Sequence, residues 1–187
     1  KYEYNTYLQH VSENRLWWGQ DGHNKYPRLK KFLSDMEGGM VPTNIWKSED
    51  AGTTDKATTE LESLIGRGVF PFPKPAQLVQ KAISYIINKE EDKDCIVLDF
   101  FAGSGTTGHA VMNQNIKDGG HRKFILVQIP QLTDENSNAR RAGYKTISEI
   151  TIARNKAVVE RYQKESEGKI LDEEYKQQLK QLGFKVF

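Results

Sequence analysis

Ile96-Val-Leu-Asp-Phe-Phe-Ala-Gly-Ser-Gly-Thr-Thr-Gly108 is the stretch that decides how this chain is interpreted. Three apolar residues lead into Asp99 and then into a glycine-rich turn. This order is typical of a buried parallel strand that runs into a tight loop and then a helix. Gly103 and Gly105 lack a Cβ, so the loop backbone can approach a ligand closely. The sequence therefore predicts a nucleotide-type cofactor site at the end of this strand.

The glycine loop fits more than one kind of ligand. A phosphate-binding P-loop needs a lysine after its last glycine, whereas two threonines follow Gly105. Gly103, Gly105 and Gly108 match the dinucleotide spacing G-x-G-x-x-G, so a nicotinamide site stays an alternative. Asp99 favours a different ligand. A carboxylate beside the loop would repel a pyrophosphate and would suit the cationic amino-acid end of adenosylmethionine. A glycine turn without any ligand is the simplest alternative.

The residues at 99–107, Asp-Phe-Phe-Ala-Gly-Ser-Gly-Thr-Thr, resemble the cofactor-binding motif of DNA amino-methyltransferases. These enzymes methylate the exocyclic amine of adenine or cytosine. The motif sequence is most similar to that of the β-class enzymes and, among them, the modification (Mod) subunits of type III restriction-modification systems. The resemblance implies S-adenosyl-L-methionine as cofactor. It also implies an α/β, Rossmann-like methyltransferase fold, present here in part, with a mostly parallel sheet flanked by helices.

The resemblance also implies which residues hold the cofactor. Asp99 would anchor the amino-acid end, backbone amides of the glycine loop would wrap the ligand, and residues 72–75 would form the other wall. Read alone, Phe70-Pro-Phe-Pro-Lys-Pro75 is a proline entry to an ordinary core helix, predicted over 76–87 from its apolar stripe. The full set is Phe72, Lys74, Pro75, Asp99, Phe100, Phe101, Gly103, Ser104, Gly105, Thr106 and Gln128.

A second strand is predicted downstream of the loop. Residues 123–130 form an apolar run that ends at Pro130, as expected for another buried strand. A helix from 107 to about 114 and a turn at 119–120 complete a βαβ unit. In dinucleotide folds an acid at the end of the second strand binds the ribose, but Gln128 stands here. Its amide either hydrogen-bonds a ribose hydroxyl or caps the strand end.

The C-terminal part of the chain carries further helix signals. Thr146 and Glu149 fit a capping box at the start of a helix. A last amphipathic helix is predicted over 172–182. The residues at 183–187 indicate an unfinished strand.

Three other segments are harder to interpret. The polar stretch 47–60 predicts a mobile loop. Arg140, Arg141 and Lys145 would either contact a phosphate backbone or lie in a solvated loop. Before residue 32, aromatic and basic residues alternate; they would either stack on a nucleic-acid base or form the core and rim of a small subdomain.

Enzymes of the resembled family carry a catalytic motif with two adjacent prolines and an aromatic residue. The prolines of this chain stand at 27, 42, 71, 73, 75 and 130, so no two are adjacent and no catalytic residue is assigned. Because the β-class order places that motif first, we interpret the chain as the C-terminal part of a larger polypeptide, inactive alone. We predict three regions: an irregular and helical segment at 1–68, after the target-recognition region; a partial adenosylmethionine-binding core at 69–165; and a C-terminal helix with the start of a strand at 166–187.

The predicted function is therefore the cofactor-binding part of a site-specific DNA methyltransferase, directed to the exocyclic amine of adenine, in a type III restriction-modification system. The implied partners are DNA, mainly through parts outside this chain, a second Mod subunit and a restriction (Res) nuclease subunit. Two other classes stay open. One is an NAD(P)-dependent oxidoreductase domain, and the other is a non-catalytic DNA-binding or assembly module.

Composition limits the remaining possibilities. A chain of 187 residues can bury one sizeable core, and its mean hydropathy of -0.69 suits a cytoplasmic protein without a membrane span. The single cysteine, Cys95, excludes an internal disulfide and is expected to pack in the strand start. A net charge of +2 does not by itself indicate a nucleic-acid binder. The four histidines lack metal-ligand spacing, so no metal is predicted.

Overall fold

The computed structural model describes residues 3–35, 43–87 and 93–187, and the chain forms two compact units, 1–43 and 44–187. The first unit contains helix α1 (Tyr4–Ser12), an antiparallel hairpin of β1 (Leu16–Trp17) and β2 (Arg28–Leu29), and a 3-10 turn (Leu33–Asp35). Within this unit Arg15 pairs with Glu13 and Asp35, and its guanidinium stacks on Phe32. The Arg28 guanidinium likewise lies 5.9 Å from the Trp17 ring. At least part of the aromatic and basic cluster is thus internal packing of a small subdomain.

The second unit is an α/β structure. In chain order it contains α2 (Ser48–Ala51), α3 (Thr54–Ile65), α4 (Ala76–Ile86), β3 (Ile96–Asp99), α5 (Thr106–Asp118), β4 (Lys123–Leu126), α6 (Asn138–Arg141), α7 (Ile147–Ser166) and α8 (Glu173–Gln181). Strands β3 and β4 pair in parallel, with Ile96 opposite Lys123 and Asp99 opposite Leu126. Helix α5 connects them, so the predicted βαβ unit and the α/β class are confirmed.

Glycines set both ends of α5. Gly105 precedes the helix with φ +80° and Gly119 follows it with φ +67°, both in the left-handed region that favours glycine. The helix therefore continues to Asp118, four residues beyond the predicted end near 114, because no earlier residue stops it. The turn predicted at 119–120 is confirmed.

Helix α7 begins where its sequence predicts. The Thr146 side chain accepts from the Glu149 amide, and the Glu149 carboxylate accepts from the Thr146 amide at 3.2 Å, so the capping box is present. Ile150 and Val158 are completely buried on this helix. The cap fixes the starting residue, and the apolar side then binds the helix to its neighbours.

Two apolar clusters hold the second unit together. In the first, Ile83 of α4 packs with Ala110 and Val111 of α5 against one face of the strand pair, where Val97 and Phe124 lie. In the second, the buried residues are Val69, Ala139 and Ile150, with Ile65, Phe70, Tyr144 and Ile147 packed around them. The second cluster matters for the site, because it fixes the segment before Pro75 against the start of α7.

The prediction of a mobile loop over 47–60 is wrong. Residues 48–51 and 54–65 form helices α2 and α3, the second capped by the Thr53 side chain, which accepts from the Lys56 amide at 3.2 Å. Only Ala57 and Leu61 are fully buried on α3. So narrow an apolar stripe gives a weak periodic signal, although it is enough to fix the helix against α7.

The prediction that both strands are buried is also wrong for one face. Val97 and Phe124 point toward the helices, but Ile96, Leu98 and Ile125 on the other face are 61 %, 48 % and 50 % exposed. A continuous apolar run is typical of a strand that is buried on both faces, which is why burial was predicted. In the described part of the chain, helices α4 and α5 cover only one face of the strand pair. The second strand also ends at Leu126, before the predicted Pro130.

At the C-terminus the predicted helix is confirmed as α8, with the Asp172 carboxylate capping it by accepting from the Tyr175 amide at 2.7 Å. Residues 183–187 are not a strand in the structure. The predicted division at 68/69 and 165/166 stays a prediction, although the packing of α3 on α7 makes residues before 69 part of the second unit. In the described ranges no helix is long and apolar enough to cross a bilayer. No group of histidine, cysteine and acidic side chains there is arranged to hold a metal ion.

Candidate functional site

Asp99 joins the end of β3 to the start of α5. Its Oδ1 accepts from the Phe101 amide at 2.9 Å, and its Oδ2 accepts from the Thr107 hydroxyl at 2.6 Å. The half-buried carboxylate thus closes the loop between strand and helix. Each carboxylate oxygen has two acceptor sites, so one site on each oxygen is left after these two bonds. Asp99 can therefore organise the loop and still receive a cationic donor.

The loop is also tied to the end of β4. The Gly103 amide donates to Gln128 Oε1 at 2.7 Å, and the Ala102 amide donates to the Val127 carbonyl at 3.2 Å. The Gly105 amide donates to the Ala102 carbonyl at 2.7 Å, which makes a tight turn. Gln128 thus has a definite partner that the sequence did not indicate. Its side chain holds the loop rather than simply capping the strand.

The three glycines have different surroundings. A Cβ at Gly103, where φ is +53°, would meet nothing nearer than Phe70 Cζ at 3.5 Å. A Cβ at Gly105 would overlap Asn155 Nδ2 and lie 2.9 Å from the Thr151 carbonyl. One at Gly108 would overlap Asn155 Oδ1 and lie 3.0 Å from its Cγ. A Cβ at Gly103 would therefore make only ordinary contacts, whereas Gly105 and Gly108 are required by the close approach of α7.

This difference corrects the expectation for Gly105. The sequence suggested that both Gly103 and Gly105 clear space for a ligand. The side of Gly105 on which a side chain would stand is filled by α7, so its missing Cβ permits helix packing, and its φ of +80° permits the turn.

The hydroxyls of Ser104 and Thr106 face the interior. Both residues are buried, and both hydroxyls contact Arg154 Nη1, at 3.0 Å and 2.7 Å. Arg154 is fully buried; its Nη2 lies 3.1 Å from Glu60 Oε2 and 3.2 Å from His109 Nδ1. The side chains of Ser104 and Thr106 are thus engaged in the interior.

Burial controls the charges of this cluster. Burial lowers the pKa of Arg154 to about 10, despite the opposing attraction of Glu60, so the guanidinium stays charged at neutral pH. Burial also lowers the pKa of His109 well below its ordinary value of 6.5, and the charges of Arg154 and Arg161 act in the same direction. The cluster behind the loop therefore contains a cationic arginine and a neutral imidazole.

The predicted second wall lies beside the loop. The Thr106 hydroxyl is within 3.3 Å of the Lys74 carbonyl, and Pro75 precedes the first residue of α4. Phe72 has φ +52° and is 79 % exposed, an uncommon backbone conformation for an aromatic residue. Phe100 and Phe101 are also exposed. The structure thus brings the backbone of 70–75 and the loop 99–106 together, while the three phenylalanine rings stand in solvent.

Sequence reasoning missed four residues at this site. The Phe70 ring lies beside Gly103, and three polar side chains of α7 contact the loop from behind: Thr151, Arg154 and Asn155. The sequence does contain a signal for the three α7 residues: they are polar residues three and four positions apart, so they share one face of a capped helix. They resemble a solvated face until the position of the loop is known.

One cavity lies away from the glycine loop. It has a volume of about 710 Å³, runs along β4 and the residues 181–187, and shares only Gln128 with the predicted cofactor residues. It borders β4 on the edge that pairs with no strand in the described ranges, rather than the carboxyl end of β3. Since ligands of open α/β sheets bind beyond the carboxyl ends of the strands, we base the functional interpretation on the loop.

A strand, a glycine loop closed by an aspartate, a helix and a parallel strand define a cofactor-binding class of α/β protein. The family model of the N6 and N4 DNA methylases matches residues 2–178. The chain belongs to this DNA methylase family.

Particular relatives are similar over most of this chain. The Mod subunit of the type III restriction-modification enzyme StyLTI from Salmonella typhimurium is 40 % identical over 146 residues, 78 % of this chain and 21 % of the relative. The EcoPI Mod subunit of Escherichia phage P1 is 40 % identical over 132 residues, 71 % of this chain and 20 % of the relative. The type II methyltransferase M.KpnI from Klebsiella pneumoniae is 38 % identical over 144 residues, which are 77 % of this chain and 33 % of the relative. The chain thus spans a fifth to a third of the length of these relatives.

Proposed function

We propose that this chain binds S-adenosyl-L-methionine as the cofactor-binding part of a DNA methyltransferase. The observation that carries the proposal is the surface at the carboxyl end of β3. There the Asp99 carboxylate closes the glycine loop, the Phe70 ring lies beside Gly103, and the Lys74 carbonyl lies 3.3 Å from the Thr106 hydroxyl of the same loop. A carboxylate and loop amides suit the ammonium and carboxylate of an amino acid, respectively. The bound cofactor would supply an electrophilic methyl group.

Each predicted residue has a definite task in this proposal. Asp99 accepts from the amino-acid ammonium through the acceptor sites that Phe101 and Thr107 leave free. The Ser104 and Thr106 amides bind the rest of the amino-acid end, because those of Gly103 and Gly105 already donate to Gln128 and Ala102. Residues 72–75 form the other wall, where the exposed Phe72 ring supplies an apolar surface.

We further propose that the complete enzyme methylates the exocyclic amine of adenine in DNA, as part of a type III restriction-modification system. Three of the similar proteins are type III Mod subunits. An amine inside a duplex is out of reach, so the base must leave the stack, and the remaining task is to hold it in line with the methyl group. The proposed partners are DNA, a second Mod subunit and a Res nuclease subunit, and the proposed fold of the whole domain is Rossmann-like.

The family's Pro-Pro-aromatic catalytic motif is absent from these 187 residues. We therefore expect the isolated chain to be inactive in methyl transfer.

A type II methyltransferase is the second candidate, favoured by the similarity to M.KpnI at 38 % identity. The two differ in their partners. A type III Mod subunit forms a complex with a Res subunit, whereas a type II enzyme methylates without one. Purification of the tagged complete gene product from its native cells, followed by identification of bound subunits, separates these candidates.

The test of cofactor binding is calorimetric titration of the complete gene product with adenosylmethionine and, separately, with NADH. Replacement of Asp99 by alanine should weaken adenosylmethionine binding by about 10- to 150-fold, since a hydrogen bond to a charged group contributes roughly 1.5–3 kcal/mol. Asp94 precedes the same strand and has an exposed side chain, so Asp94→Ala serves as the matched control. Preference for NADH, or equal affinity in the Asp99 and Asp94 variants, would contradict the proposal.

A further inference from the structure

We propose that Arg154, assisted by Thr151 and Asn155, is a positioning residue that holds the glycine loop in its binding conformation before the cofactor arrives. The identity of the ligand rests on the function proposed above, whereas the ordering of the loop does not depend on it.

The first argument is the pattern of contacts. Thr151 Oγ1 donates to the Gly103 carbonyl at 2.6 Å, Arg154 Nη1 contacts the hydroxyls of Ser104 and Thr106, and Asn155 Nδ2 donates to the Gly105 carbonyl at 3.2 Å. Positions 151, 154 and 155 lie on one face of α7, because residues three and four apart are neighbours on a helix. One rigid face thus contacts all four consecutive residues of the loop 103–106.

The second argument is the direction of the peptide groups. In a trans peptide the carbonyl of one residue and the amide of the next point in opposite directions. The Gly103 carbonyl points toward Thr151, so the Ser104 amide points away from α7. By the same reasoning, the Gly105 carbonyl bound to Asn155 turns the Thr106 amide away from the helix. The contacts therefore turn the amides of Ser104 and Thr106 away from α7, which leaves them on the opposite side of the loop.

The third argument is the cost of the arrangement. A fully buried arginine needs both a compensating charge and several hydrogen bonds, and an apolar side chain of similar volume often stabilises a core as well or better. Arg154 has Glu60 as its counter-charge, and its second terminal nitrogen serves the loop. The planar guanidinium contacts two hydroxyls and a carboxylate at once, which a compact ammonium or an apolar side chain at this position could not do.

The test compares three variants of the complete gene product. Arg154→Lys keeps the charge but replaces the fork by a single ammonium, which cannot reach Ser104, Thr106 and Glu60 together. Glu60→Gln is the matched control, since it weakens the same buried ion pair and leaves the contacts of Arg154 with the loop in place. Ser104→Ala combined with Thr106→Val removes the two loop hydroxyls that contact the Arg154 guanidinium.

Two measurements are made on each variant. Hydrogen exchange of peptides spanning 102–108, without ligand, reports the order of the loop. Calorimetry and the Michaelis constant for adenosylmethionine report binding, with the thermal midpoint as the measure of stability. We expect at least tenfold faster exchange and at least tenfold weaker cofactor binding in Arg154→Lys and in the double variant. In both variants the Michaelis constant should rise by a larger factor than the turnover number falls. Glu60→Gln should lower the thermal midpoint without faster loop exchange and without weaker cofactor binding.

The outcomes separate the two proposals. Faster loop exchange in Arg154→Lys, in a gene product that binds no adenosylmethionine, supports the positioning role and overturns the proposed ligand. Unchanged exchange and affinity in Arg154→Lys would overturn the positioning role. Equal effects in Glu60→Gln and Arg154→Lys would also overturn it, because Arg154 would then act through general stability.

Discussion

Lowering the pH below 6.5 should destabilise this chain through one residue, His109. The His109 side chain is completely buried, with Nδ1 3.2 Å from Arg154 Nη2 and Nε2 3.2 Å from Arg161 Nη2. The nearest carboxylate oxygen, from Glu60, lies 3.8 Å from Nδ1. Burial first, and then the two guanidinium charges, lower the pKa of His109 well below 6.5. The folded chain therefore contains a neutral imidazole here, flanked by cations that oppose its protonation.

The sign and size of the effect follow from linkage. The unfolded chain binds a proton at His109 with a pKa near 6.5, whereas the folded chain does not, so the unfolded state gains as the pH falls. The contribution of His109 is fully present above this value and is lost below it, with a limiting slope of about 1.4 kcal/mol per pH unit. Between pH 7.5 and pH 5.5 the free energy of unfolding should fall by about 1.4 kcal/mol from this residue alone.

The assay is urea denaturation of the 187-residue chain, followed by circular dichroism at several pH values and constant ionic strength. Carboxylates also titrate at the acid end, so the informative quantity is the difference between the parent chain and His109→Asn. The variant is expected to be less stable at pH 7.5, and the difference should shrink by about 1.4 kcal/mol by pH 5.5, because the variant has no imidazole to protonate. The same substitution at His23, which is exposed, removes a histidine without touching the cluster. Parallel stability curves for the parent and His109→Asn would refute the reasoning.

Two further predictions concern packing and capping. Gly108→Ala should lower the free energy of unfolding by about 1–3 kcal/mol in a urea titration, because the new methyl group would overlap Asn155. Gly183→Ala has no atom within 4 Å to disturb and is the control; equal stability of the two variants would contradict the close packing of α7. Thr146→Ala should cost about 1 kcal/mol through loss of the cap of α7, measured in the same way. A change below about 0.3 kcal/mol would show that the capping bond contributes little.

Local chemistry made much of the fold predictable. The turn before α5 and the C-terminal end of that helix follow from Gly105 and Gly119, which adopt left-handed conformations. The start of α7 follows from the reciprocal hydrogen bonds of Thr146 and Glu149. These signals depend on residues a few positions apart, so they do not require knowledge of the rest of the chain. The same local reasoning gave a wrong prediction for residues 47–60, which form helices rather than a mobile loop. Helix α3 is held by a narrow apolar contact with α7, a segment about a hundred residues later, and helix α2 packs on α4.

The exposed strand face shows a second limit. The continuous apolar runs of β3 and β4 correctly predicted strands, but the residue types cannot tell which face has a covering layer in this chain. Coverage depends on where the helices lie, and within the described residues α4 and α5 lie on the side of Val97 and Phe124.

The sequence by itself determined the class of this site. An acid at a strand end, followed by Gly103 and Gly105 and a helix start, is a local pattern with a local geometry, and it led to the DNA methylase family. Only the tertiary structure decided what each residue of the loop does. Gly103 faces Phe70 at ordinary contact distance, Gly105 and Gly108 face α7, and the hydroxyls of Ser104 and Thr106 turn inward to Arg154. The physical reason is that these roles depend on contacts between residues about fifty positions apart, and no spacing along the chain encodes which side of a loop a distant helix will cover.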